Sequence, residues 1–321
     1  MSIREAGGFF ARRVLAALIS LAVVSVLVFG FLYAAPGSPE EAIIGPLGST
    51  PKVLNAVAHE YGLDRPVITQ YLQFIGHAVQ LNFGHSFFTG QSVMQGIIQR
   101  LGVTIPLGLG GFIFAMLAGI VGGVIAAFRR GKLLDHLLVG SSVVLAAVPV
   151  YATAILFIYI FGVELGWFPV IGAGSGVFDR AQHLFLPVLA LGLTGMAPVV
   201  KFTRAMVIDA LESDDVMFAR SRGVPPMEIL WKYTLRHTRV LLLTTSSIIL
   251  IYMLTATTLV EVAFNLRGVG AYLIQSINQE DIPSVQGLVM LTAAFIIAVN
   301  VFTDYATVLL DPRVRFARAD R

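Results

Sequence analysis

Long uncharged runs separated by short polar stretches dominate the order of residues in this chain. Six runs carry no charge over about 17 residues or more, the least that crosses a bilayer as a helix. They are residues 14–35, 101–128, 137–163, 184–200, 240–260 and 282–303. The pattern predicts an all-α integral membrane fold with six transmembrane helices and an insertion, 36–100, between the first and the second. The first run follows Arg12 and Arg13 and ends in Tyr33-Ala34-Ala35, as a signal peptide would. It is longer than the usual apolar core of such a peptide, so a retained helix is expected. The fourth run is short, with Pro187 and Pro198 flanking its core, and is expected to continue to about Val207 while Lys201 and Arg204 snorkel to the interface. Inside the insertion, Pro36-Gly37-Ser38-Pro39 reads as a turn. Residues 66–83 repeat Val67, Tyr71, Phe74 and Val79 at helical spacing, predicting a small cap on the outer membrane surface.

Charge orients these spans. With the N-terminus inside, the outer segments hold only Lys52, Arg65, Arg100, Arg180 and Arg267 of the 22 Lys and Arg. The positive-inside rule therefore predicts both termini in the cytoplasm. The expected order is an inner tail (1–13), the first span (14–35), the extracytoplasmic insertion (36–100), a five-helix core (101–310) with a cytoplasmic loop at 208–239, and an inner C-terminal tail (311–321). No internal repeat is evident, and one integral domain is the simplest reading. Composition agrees: 56% of the residues are hydrophobic and 13% charged, against roughly 25% charged in soluble domains, so lipid replaces much of the solvated surface. The net charge of +3 is too small to imply a nucleic-acid partner, and the absence of cysteine excludes disulfides, thiolate metal sites and Cys nucleophiles.

The sequence carries no complete catalytic motif of the kinds its partial matches suggest. Gly131-Lys132-Leu133 lacks the hydroxyl and the preceding strand of a phosphate-binding loop, and His59-Glu60 has Leu63 where a zinc-protease helix needs its second His. All six histidines lie outside the uncharged cores, which leaves a membrane-embedded serine hydrolase without a base. Neither an enzymatic activity nor a metal site is expected.

Within the spans, Gly108, Gly110, Gly111, Gly119, Gly122 and Gly123 crowd the second, and Gly119–Gly123 has the spacing that permits close helix approach. Pro149 can kink the third. The fifth is rich in hydroxyls, which could satisfy themselves on the preceding turn or line a path; Thr255, Thr258 and the terminal Glu261, together with Pro149, are the candidate path residues. Asn300 and Asp304 lie one turn apart near the inner end of the sixth, where Asp304 suits an anchoring ion pair.

The polar stretch 214–238 stands out because it interrupts two spans on the inner side. Asp214 and Asp215 suit a helix N-terminus, Gly223 a left-handed helix end and Pro225-Pro226 a restart. The expectation is a compact knob of two short helices. A solvated linker would not need Met217, Phe218, Met227, Ile229, Leu230 and Trp231, so these apolar groups require a cover.

The same residues resemble the coupling loop of ABC-importer permeases, E-A-A-x-x-x-G-x(9)-I-x-L-P. Met217, Phe218 and Ala219 stand at the E-A-A positions, Gly223 at the glycine, Tyr233 at the isoleucine, Leu235 at the leucine and Arg236 at the proline; Ala219, Gly223 and Leu235 match. Along nearly its whole length the chain resembles the B-type permease of dipeptide and oligopeptide importers. That likeness is carried by Leu32-Tyr33-Ala34-Ala35-Pro36-Gly37-Ser38-Pro39, Tyr61-Gly62-Leu63-Asp64-Arg65-Pro66, Glu261-Val262-Ala263-Phe264, Gly268-Val269-Gly270, Asp281-Ile282-Pro283-Ser284, Asn300, Asp304 and Asp311-Pro312-Arg313. The resemblance implies an ABC type I importer permease fold, docking through Phe218, Ala219, Arg222, Gly223, Met227, Glu228, Leu230 and Leu235, and structural roles for Asn300, Asp304, Asp311, Pro312 and Arg313. It implies a second homologous permease, two ATPase domains that hold ATP and Mg while this chain holds no cofactor, and an extracytoplasmic binding protein that delivers peptide. Relatives of the same architecture carrying nickel complexes, glutathione or haem are the alternative, and a non-transporting scaffold is the other class.

Overall fold

The computed structural model describes residues 3–34, 51, 55, 58, 59 and 63–310. Regular structure among them is helical, apart from one isolated bridge between His85 and Ser92. The helices are α1 (Ile3–Ala34), α2 (Val67–Val79), α3 (Val93–Phe128), α4 (Leu133–Ala147), α5 (Val150–Phe157), α6 (Val177–Leu211), α7 (Asp214–Ser221), α8 (Leu235–Ala263), α9 (Val269–Asn278) and α10 (Ile282–Leu310).

Five helical segments are long and apolar enough to cross a membrane: Ala11–Gly30, Val93–Phe128, Val177–Leu211, Thr238–Ala263 and Ile282–Val308. They correspond to five of the six uncharged runs. The third run is broken instead of merely kinked: α4 and the segment Val150–Glu164 meet at 98°. The cause is local. Pro149 has no N–H to give the preceding turn, and Val148 adopts the extended conformation (φ −86°, ψ 123°) that a residue before proline prefers. Pro149 then starts α5 as its N-cap.

Two other boundaries moved. The second span begins at Val93, within the predicted insertion, because Arg100 is no barrier to it. Its guanidinium donates to the Gly96 carbonyl at 2.7 Å and stacks 4.0 Å from the centre of the Tyr272 ring. Likewise α6 carries Pro187 and Pro198 in its interior.

Where one integral domain was the simplest expectation, the chain divides into two compact units. Each combines segments distant in sequence, so no linker composition marks the division. One unit holds residues 103–267 with α10 from Phe302 onward; the other holds the described residues from α1 to Gly102 with Gly268–Val301.

The first unit is built on a cluster from α3, α5, α6 and α8 that includes Leu107, Leu191, Val199, Met253, Val260 and Phe264. Glycines let α3 approach α6. A Cβ built on Gly119 falls 2.5 Å from Val199 Cβ, and one on Gly123 falls 2.6 Å from Thr203 Cβ and 2.8 Å from the Val200 carbonyl oxygen. Backbone cannot move aside as a flexible side-chain tip can. Gly123→Leu is therefore expected to destabilise this packing by about 1–3 kcal/mol. Gly140→Leu on α4, which meets nothing within 4 Å, should leave the thermal midpoint of the purified protein unchanged. Equal midpoints for both variants would refute the close approach.

In the second unit, α2 lies against α1: the Ser25 and Tyr71 hydroxyls are 2.9 Å apart and Phe29 meets Tyr71 edge-on. Val93, Ile97, Tyr272 and Leu288 form its core. Asp281, nearly fully buried, accepts from Ser86 Oγ (2.5 Å), the Phe87 N–H (3.0 Å) and Ser284 Oγ (2.7 Å). These bonds fix the turn 84–92 to the start of α10.

Candidate docking knob and membrane path

The polar interruption folds as the turn chemistry of its sequence dictates at its first half. Asp214 and Asp215 open α7, beside the positive end of its dipole. Gly223 closes it at φ +76°, and two bonds complete a Schellman end: the Gly223 N–H reaches the Arg220 carbonyl (3.0 Å) and the Val224 N–H the Ala219 carbonyl (3.2 Å). Pro226 follows as the first residue of a new turn, with Pro225 as its N-cap. From there the structure departs from the predicted pair of short helices. The turn Pro226–Glu228 passes through a π-helical segment, Ile229–Thr234, directly into α8. No glycine or proline follows Glu228 to stop it, so the second arm of the knob is the start of the next span.

Spacing divides the knob into an inside and an outside. Val216, Ala219 and Ile229 are buried together against Leu211, Val224 and Tyr233. Met217, Phe218, Met227 and Trp231 are each more than half exposed, and the Arg222 guanidinium lies 5.8 Å from the centre of the Phe218 ring. Of the eight residues expected to dock, Phe218, Arg222, Gly223 and Met227 are exposed and Leu230 is half-buried. Ala219 faces inward. Glu228 is engaged by Lys232 Nζ at 2.6 Å, a bond that raises the Lys232 pKa above its ordinary value. The side chain of Leu235 lies outside the described residues. Met217 and Trp231, named from the sequence among the apolar groups that require a cover but not among the eight docking residues, belong to the same exposed surface. The signal was available: Val216 with Ala219, and Ile229 with Tyr233, share faces, which leaves Met217, Phe218 and Trp231 to the other side.

Beside the knob, Asp135 is 2% exposed. It grips Arg204 through two bonds, Nε to Oδ1 at 2.6 Å and a terminal nitrogen to Oδ2 at 2.8 Å. The Gly131 N–H adds a third donor at 2.9 Å. Arg204 was expected to snorkel; a carboxylate in the first turn of α4 holds it instead. Arg130 pairs with Glu212 nearby, but in an exposed position.

Among the candidate path residues, Glu261 is 0% exposed and accepts from Thr104 Oγ1 at 2.6 Å, so its carboxylate faces the bundle interior and not open space. Most hydroxyls of α8 bond the preceding turn: Thr244 to Val240, Ser246 to Leu243, Thr255 to Ile251 and Thr257 to Leu254. Ser247 also meets the Thr303 hydroxyl. The exposed side of α8 is the stripe Leu241, Thr244, Ile248, Tyr252, Thr255, Leu259 and Val262, with Thr258 half-buried beside it. Pro149 is exposed at its break. Asn300 is exposed and Asp304 half-buried, one turn apart on α10. Asp311, Pro312 and Arg313 lie outside the described residues.

The helical architecture, with five helical segments long and apolar enough to cross a bilayer, is that of a multi-pass membrane protein. Its fold matches a chain of the MetNI methionine ABC transporter in an inward facing conformation, with a TM-score of 0.56 and 16% identity over 67% of this chain and 95% of that one. The chain belongs to the family of binding-protein-dependent transport system inner membrane components, which matches residues 119–316, while the family's N-terminal component matches residues 8–108. It is 32% identical to the probable peptide ABC transporter permease protein y4tP of Sinorhizobium fredii, over 97% of this chain and 100% of the relative. It is 31% identical to the di/tripeptide transport system permease protein DppB of Pseudomonas aeruginosa (97% and 99% covered) and 33% identical to the glutathione transport system permease protein GsiC of Escherichia coli (95% and 98%). The resemblance seen in the sequence motifs is thereby established at the level of the family.

Proposed function

We propose that this chain is the permease subunit of an ATP-driven importer of di- and oligopeptides. It pairs with a second homologous permease, receives peptide from an extracytoplasmic binding protein, and leaves ATP and Mg to two ATPase domains on its inner face. Both termini lie in the cytoplasm, and the bent pair α4–α5 takes the place of the third of six spans. The substrate class rests on relatives along the whole chain named for peptide, di/tripeptide and glutathione transport. Glutathione, itself a small peptide, is the second reading, and one of these relatives favours it.

The observation that carries the coupling role is the exposed cluster Met217, Phe218, Met227 and Trp231 on a knob whose other face is already packed. Apolar side chains projecting from the water-facing end of a bundle gain by burial, and a groove on an ATPase supplies it. ATP-driven closure of the ATPase pair would then move this knob as a rigid body and with it the spans on either side. Trp231→Asp places a charge in that contact. It should reduce co-purification of the ATPase subunit by about tenfold or more while the chain stays in the membrane; unchanged recovery of the ATPase would sink the assignment. The importer reading as a whole is tested by the ATPase rate of the reconstituted complex with binding protein, empty or loaded with peptide. Stimulation by the loaded form alone is expected, and none from an intact complex would refute it.

A further inference from the structure

Lys201 follows the uncharged run 184–200 on α6, is exposed, and lines an open cleft of about 390 Å³. Pro198 and Phe202 from α6, Ile248 and Tyr252 from α8 and Ala146 at the end of α4 form most of its wall. Three residues further on, Arg204 is committed to Asp135. Lys201 has no such partner among the described residues. A charged side chain on a spanning helix is retained where water or an anion reaches it. Thr194 also lines the cleft, but its hydroxyl is spent on the Ala190 carbonyl at 3.0 Å. The donors open to an incoming anion are therefore the Lys201 ammonium and the Tyr252 hydroxyl.

We propose that this cleft is a transient subsite for the C-terminal carboxylate of a peptide in transit, with Lys201 as counter-ion, Tyr252 as second donor and Pro198, Phe202 and Ile248 as walls for the terminal side chain. The inference rests on the peptide reading above. Its chemistry suits a broad substrate class: the terminal carboxylate is present whatever the peptide's sequence, and apolar walls tolerate side chains without selecting among them. The volume falls within the range of small-molecule sites, about 300–1,000 Å³. A single cation in an open cleft binds weakly, as a conduit must if its cargo is to leave.

The test uses the purified transporter complex in zwitterionic nanodiscs without binding protein, and saturation-transfer NMR of the dipeptide Ala-Phe and of its C-terminal amide. Wild type should favour the free acid over the amide by about two- to fivefold. Lys201→Met should abolish that preference and Lys201→Arg should retain it. Replacing part of the lipid with phosphatidylglycerol should leave the acid signal unchanged. Equal signals for acid and amide in wild type, which need no variant to fold, overturn the subsite. So does a preference that survives Lys201→Met, and so does displacement by phosphatidylglycerol, which assigns the lysine to a lipid headgroup. Stimulation of the same preparations by peptide-loaded binding protein tests the peptide reading separately. Stimulation without an acid preference removes the subsite alone.

Discussion

Uptake is expected to fall to background in the Gly223→Pro variant while the chain still reaches the membrane. Gly223 sits at φ +76°, and proline is fixed near −65°, so the ring cannot occupy the native turn at all. The substitution also deletes the N–H that bonds the Arg220 carbonyl, and the displaced backbone carries away the Val224 bond to Ala219. Together these changes cost about 3 kcal/mol or more locally, enough to unfold a helix as short as α7. The outward aim of Met217 and Phe218 is lost with it. Insertion is spared because α6 and α8 are specified by their own apolar runs. Gly223→Asn, whose side chain tolerates the left-handed region, should keep most of the activity, and Gly223→Val should lie near the proline variant. Labelled-peptide uptake normalised to the immunoblotted membrane level distinguishes these outcomes, and normal uptake by Gly223→Pro would remove the coupling role.

The outlines of the spans were readable because a bilayer asks every crossing helix for a long apolar core, about 17 residues or more with few charges. Turn chemistry was readable for a similar reason, since the left-handed region at 223 admits few residues besides glycine. Departures arose where side chains satisfied one another at long range. Arg100 looked like a boundary, but its cation is spent on Gly96 and the Tyr272 ring. Arg204 looked like a snorkelling lysine-type anchor, yet its partner, Asp135, lies in a different helix and has no local pattern to announce it. Glu261 looked path-facing because a boundary carboxylate needs a donor, and the donor proved to be Thr104. The Pro149 kink was expected, but its 98° size was not, since sequence marks where a helix breaks and packing decides how far it turns.

Asp135→Ala is expected to be the most destabilising substitution on the knob side of the first unit. Removing the carboxylate leaves the Arg204 guanidinium without its two acceptors and the Gly131 N–H without one. Breaking a buried ion pair from one side costs about 3–5 kcal/mol. Arg204 retains some contact with solvent, 28% of its side chain being exposed, so the lower end of that range applies, about 3 kcal/mol. The double variant Asp135→Ala/Arg204→Met should recover part of the loss, because it removes the unpaired charge as well as the bond. Thermal midpoints of the wild type, both single variants and the double form a cycle whose coupling energy should exceed about 1 kcal/mol. Additive losses would show that the pair merely sits between two helices held by other contacts. A large coupling has a functional consequence as well. α6 passes into α7 within three residues of its end, so whatever turns the knob turns α6. Arg204 is then the point at which that motion is handed to α4 and the break at Pro149. On this account Asp135→Asn, which keeps an acceptor for Gly131 but loses the ion pair, should lower peptide uptake more than it lowers the midpoint.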